Sequence, residues 1–167
     1  MNRQIINALS VSRVFFGLLF LYFVVFEYNI VYAMLIFALA IVSDIFDGYF
    51  ARKYDLVVDN GSKIDVICDF LLIIFSTLAL CLIDLAPYWF LIVIILKLIE
   101  FFITSGSGAL KYDNFGTYVA YMFYAFPIVA MLISSKNISL ILTIIITVCA
   151  ITSSLLRIKN MRESDND

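Results

Sequence analysis

Apolar residues fill this chain in six long blocks, separated by short polar or turn-forming stretches. The blocks fall at about 8–26, 31–50, 62–83, 87–105, 115–134 and 138–158. Each approaches the roughly 20 residues that an α-helix needs to cross the hydrocarbon layer. The separators are Glu27-Tyr28-Asn29, Arg52 to Asn60, Asp84 to Pro87, Ser105-Gly106-Ser107-Gly108 and Ser134 to Asn137. This pattern predicts an all-α integral membrane protein with about six transmembrane helices. Pro127 falls inside the fifth block, where its missing N–H is expected to kink the helix. Neither a repeat nor a soluble domain interrupts the series. Residues 1–160 are therefore expected to form a single membrane domain, followed by a polar, disordered C-terminal tail at 161–167.

Composition agrees with lipid as the solvent. Of 167 residues, 64% are hydrophobic and 14% charged, and mean hydropathy is +1.06. Soluble domains average roughly 45–50% and about 25%. The first apolar block is long and no small-residue cleavage site follows it, so a cleavable leader is not expected. Cys68, Cys81 and Cys149 lie in apolar runs without CxxC spacing and read as buried small residues. The formal net charge is −2, and no nucleic-acid partner is expected.

The distribution of charge changes the picture. With a cytoplasmic N-terminus, that side receives Arg3, Arg13, Arg52, Lys53, Lys63, Lys111, Arg157, Lys159 and Arg162, and the opposite side receives only Lys136. Nine to one predicts that both termini are cytoplasmic. Asp44 then lies eight residues above the exit of the second block, about 12 Å deep at about 1.5 Å per residue. Asp69 lies eight residues above Gly61 on the third block, at a similar level.

Asp44, Asp47, Asp65 and Asp69 are thus four carboxylates inside membrane-hydrophobic sequence. Each charge near the bilayer centre costs roughly 2.5–3.5 kcal/mol on insertion scales, so something must hold them. Asp44, Asp47, Gly48 and Ala51 make one helical stripe, and Gly61, Asp65 and Asp69 make another on the antiparallel neighbour. The chain contains no histidine, and oxygen-only ligands suit Mg²⁺, Mn²⁺ or Ca²⁺ rather than zinc. Gly48, Ala51 and Gly61 leave the faces beside the acids bare, for a ligand or for close helix packing.

Residues 44–69 read D-x2-D-G-x2-A-R-x8-G-x3-D-x3-D without departure. In this the chain resembles the CDP-alcohol phosphatidyltransferase family, whose members move a phosphatidyl group from a CDP-linked lipid to an alcohol and release CMP. The resemblance implies a CDP-diacylglycerol or archaeal lipid donor, a small polar alcohol acceptor, Mg²⁺ or Mn²⁺ as a pair of ions, and a homodimer in the cell membrane with its active site open to the cytoplasm. It implies Asp44, Asp47, Asp65 and Asp69 as metal ligands, and Asp69 also as the catalytic general base. It implies Asp47, Gly48, Ala51, Arg52, Gly61 and Asp65 as the lining of the CDP-lipid site. Asn7, Ser10 and Arg13 resemble the polar start of the family's first span. Asn7 and Ser10, three apart, suit the nucleotide, or else serve capping and snorkelling roles.

The motif does not name the alcohol. Lys97 lies in an apolar block at the depth of the acids, and an intramembrane lysine is a candidate for binding an anionic acceptor. Its alternative is an ion pair with Glu100, one turn away. Lys111 and Arg157, at cytoplasmic ends, would complete a phosphate pocket or act as ordinary positive-inside anchors. The reading favours a phosphorylated polyol such as glycerol 3-phosphate or inositol phosphate, with serine as the alternative. The Ala-Arg-Glu associated with the glycerophosphate branch is absent, and Phe70 stands where the inositol branch often has arginine. A divalent-cation transporter would share the buried acids but gains nothing from a fixed arginine beside them.

Overall fold

The computed structural model describes the backbone of residues 3–53, 59–105 and 114–164, and the side chains of 11–46, 64–104 and 115–158. Its helices are α1 (Arg3–Val25), α2 (Ile30–Lys53), α3 (Asp59–Leu82), α4 (Tyr88–Ser105), α5 (Asn114–Ile133) and α6 (Lys136–Ser164). Each apolar block is therefore one helix. α5 runs through Pro127 as one assigned helix. α6 continues to Ser164, into the segment expected as a disordered tail. No glycine or proline follows Pro127 to stop it.

The chain divides into two compact units, Met1–Ile83 and Asp84–Asp167. In the first, α1 packs along both α2 and α3. Phe20 and Phe37 meet with ring centroids 5.4 Å apart, and the Ser12 and Ser43 hydroxyls lie 3.3 Å apart across α1 and α2. Gly17 sets the approach of α1 to α3. A Cβ there would stand 3.3 Å from the Leu72 Cα and from the Phe75 Cβ, and 3.2 Å from the Phe75 Cδ2. Gly17→Ala is expected to push α3 outward and to cost about 1–3 kcal/mol, read as a lower thermal midpoint in detergent. An unchanged midpoint would mean that α3 can step back freely.

In the second unit, α6 packs against α4 and α5. Phe90 is fully buried and meets Phe126 at 5.0 Å and Phe123 at 5.9 Å between ring centroids.

The links after α1, α3 and α5 are short, and each contains a left-handed non-glycine residue: Tyr28 (φ 50°), Asp84 (φ 60°) and Ser134 (φ 49°). Local hydrogen bonds close these corners. The Asn29 N–H donates to the Phe23 carbonyl at 3.0 Å, and the Asn29 Oδ1 accepts the Tyr32 N–H at 3.1 Å, capping α2. The Ser134 hydroxyl donates to the Met131 carbonyl at 2.6 Å.

Among the described residues, Ile64–Leu82, Phe115–Ile133 and Lys136–Ile158 are long and apolar enough to cross a membrane, and Val11–Val25 and Ile30–Phe46 are shorter apolar helices. Large apolar side chains face outward, Ile103 at 72% and Leu155 at 65% exposure, while Ser76, Thr77, Ser139 and Thr143 are buried. A soluble surface rarely carries so continuous an apolar skin. A lipid environment tolerates it, and the helices satisfy their own backbone groups.

Candidate metal centre

Three helices of the first unit converge on one cluster of charges. Asp44 comes from α2, and Asp65 and Asp69 come from successive turns of α3. One carboxylate oxygen of each lies within 4.8 Å of the others. Arg13 reaches all three from α1. Its Nη1 donates to the Asp44 Oδ1 at 2.8 Å and to the Asp69 Oδ1, and its Nη2 donates to the Asp65 Oδ1. The Arg13 side chain has no exposed surface, whereas Asp44 and Asp65 are each 40% exposed and Asp69 is 22% exposed. The acids are thus partly accessible, while the arginine that joins them is buried.

The i, i+4 spacing of Asp65 and Asp69 puts both on the face of α3 that meets α1. Gly17, one turn beyond Arg13, keeps the two helices close there. Oxygen donors within 4.8 Å of one another match the span of a single divalent coordination shell, about 4–5 Å across. No histidine exists to compete, and Cys68, Cys81 and Cys149 are free thiols. The donor set fits a hard divalent cation.

The sequence expectation and the geometry meet at Asp44, Asp65 and Asp69. Asp47, Gly48, Ala51, Arg52 and Gly61 lie in α2 and α3, but their side-chain placement is outside the described residues, as it is for Asn7 and Ser10 on α1. Lys111 lies outside the described residues altogether. Arg13 is the residue that charge counting undervalued. By sequence it counts among the positive-inside anchors and the polar start of the first span, yet it is the hub of the cluster. Its signal was a full charge within the apolar run of α1, the criterion applied to Lys97.

Lys97 belongs to a separate cluster in the second unit. Its Nζ lies 2.8 Å from the Glu100 Oε2 and donates to the Ser153 and Ser154 hydroxyls, each at 3.0 Å. Ser154 donates in turn to the Glu100 Oε2 at 2.6 Å. The anion that this half-buried ammonium needs is supplied by Glu100, the alternative partner named for Lys97. Arg157 is buried, and its guanidinium carbon stands 4.9 Å from the Phe101 ring centroid.

Known proteins share parts of this sequence. Over 71 residues the chain is 41% identical to the CDP-diacylglycerol–glycerol-3-phosphate 3-phosphatidyltransferase of Bacillus subtilis, a match covering 42% of this chain and 36% of that protein. Over 39 residues it is 54% and 56% identical to proteins of the same name from Rickettsia bellii and Rickettsia felis, covering 23% of this chain and 22% of each relative. The matched stretches thus span about a third or less of these relatives. The broader match runs from the first helix into the sixth: residues 3–154 fit the CDP-alcohol phosphatidyltransferase family, and the chain belongs to that family.

Proposed function

We propose that the protein is an integral membrane enzyme that transfers a phosphatidyl group from a CDP-linked lipid to glycerol 3-phosphate and releases CMP. The observation that carries this reading is the meeting of Asp44, Asp65 and Asp69 within 4.8 Å in a chain of this family. The activity named for the Bacillus and Rickettsia relatives favours glycerol 3-phosphate over inositol phosphate or serine. A cation-transport role is disfavoured by Arg13, whose fixed positive charge among the acids would repel the cargo.

Asp44, Asp47, Asp65 and Asp69 would hold Mg²⁺ or Mn²⁺. When bound, the cation neutralises charge on the donor's diphosphate and on the departing CMP. Asp69 accepts the proton of the acceptor hydroxyl as that oxygen bonds to the phosphatidyl phosphorus and the bond from phosphorus to the CMP oxygen breaks. Arg52 offers a fork of donors to the diphosphate oxygens. Gly48, Ala51 and Gly61 admit the nucleotide close to the backbone, with Asn7 and Ser10 on α1 as further polar contacts.

In this reading all six helices span the cell membrane as one domain over residues 1–160, with both termini and the acids on the cytoplasmic side. The nine-to-one bias of basic residues supports the orientation. A homodimer is part of the proposal through the family likeness. Incubating the protein in lipid with CDP-diacylglycerol, Mg²⁺ or Mn²⁺, and glycerol 3-phosphate, inositol phosphate or serine separately, tests it by CMP release. Release with glycerol 3-phosphate is expected. Release with serine alone would reassign the acceptor, and none with any alcohol would overturn the enzyme reading.

Lys97 and Arg157, with Lys111, are proposed to read the acceptor phosphate. Removing Lys97 alone would leave the half-buried Glu100 with the Ser154 hydroxyl but without its countercharge, so the informative variant is Lys97→Met combined with Glu100→Gln. Its KM for glycerol 3-phosphate is expected to rise about tenfold while donor affinity is unchanged, the pattern of lost ground-state binding. Wild-type acceptor kinetics would return Lys97 to a purely structural partnership with Glu100.

A further inference from the structure

Three carboxylates held within 4.8 Å repel one another strongly wherever water does not screen them. Without a cation they would drift apart or take up protons. Arg13 prevents this from within the chain. Its terminal nitrogens contact the Oδ1 atoms of Asp44, Asp65 and Asp69, one oxygen from each acid capable of binding metal. A divalent ion engaging those same oxygens must share or displace the guanidinium. The guanidinium is fully buried and enters from α1, the helix packed along both acid-bearing helices.

We propose that Arg13 is a built-in counter-cation of this centre: it holds Asp44, Asp65 and Asp69 in place while the metal is away and competes with the divalent ion for their Oδ1 atoms. The inference rests on reading the acids as metal ligands. Arg13 thereby trades metal affinity for stability of the metal-free protein. Loss of the guanidinium should loosen the empty site and tighten the filled one, a combination that a simple structural anchor would not produce.

Binding of Mn²⁺ to chelator-stripped protein in detergent, followed by the electron paramagnetic resonance of free Mn²⁺, tests this without any turnover. Arg13→Gln is expected to lower the Mn²⁺ Kd by roughly tenfold or more, to lower the thermal midpoint of the stripped protein, and to enlarge the rise in midpoint that Mn²⁺ produces. Should Arg13→Gln fail to fold when stripped, Arg13→Lys decides. Its charge favours folding, but a single ammonium cannot reproduce the two-nitrogen fork, so its Kd is expected between those of wild type and a neutral variant. Unchanged or weaker Mn²⁺ affinity in the folded variants overturns the competition while leaving the metal reading intact. No Mn²⁺ binding by wild type or either variant would overturn both.

Discussion

Asp69→Asn is expected to reduce CMP release by about 10²–10⁴-fold, the usual cost of removing a general base, while CDP binding persists. Asparagine keeps the shape of the side chain and an oxygen beside Arg13, but it cannot take a proton from the attacking hydroxyl. Asp69 is the least exposed of the three described acids, at 22% against 40% for each of the others. It also stands one turn farther along α3 than Asp65, toward the lipid-linked phosphorus in the proposed orientation. Asp44, Asp47 and Asp65 would remain to hold the cation in the proposed site, so the expected signature is a fall in turnover with little change in nucleotide affinity. Initial rates of CMP release beside CDP-binding isotherms would show it. A variant that turned over at nearly the wild-type rate would move the base elsewhere.

Chelation is expected to have an effect at least as large. Stripping divalent ions with EDTA should abolish CMP release, and adding Mg²⁺ or Mn²⁺ in excess should restore it. Without the cation, the diphosphate would face the carboxylates of Asp44, Asp65 and Asp69, joined by Asp47 in the proposed site, with less positive charge to offset them. Donor and acid cluster would then repel each other where attraction is needed for transfer. Full turnover in EDTA would contradict the reading of Asp44, Asp65 and Asp69 as metal ligands.

The six helices were legible because lipid as solvent imposes a length and a polarity on each apolar block. Their ends were less so. α2 runs to Lys53 and α3 begins at Asp59, beyond what an apolar window admits, because a helix continues into polar residues wherever its backbone bonds can. The convergence of Asp44, Asp65 and Asp69 followed from i, i+4 spacing on neighbouring helices. Arg13 did not follow, since a basic residue near an N-terminus is equally consistent with an interfacial anchor until α1 is seen against both α2 and α3. Glu100 as the partner of Lys97 could be read from their spacing. Ser153 and Ser154 could not, because hydrogen bonds between α4 and α6 leave no periodic trace in either segment.

The Lys97–Glu100 pair also bears on how this chain enters a bilayer during synthesis. Both charges belong to α4, three residues apart, so they can neutralise each other inside the helix before any later segment exists. Ser153 and Ser154 emerge 56 and 57 residues after Lys97, which at about 5–20 residues per second is a delay of roughly 3–11 s. A lone lysine waiting that long in an insertion channel would favour retention in water. In the proposed six-span topology, the neutral pair would let α4 enter lipid on its own, and α6 would dock afterwards onto a polar seam that is already formed.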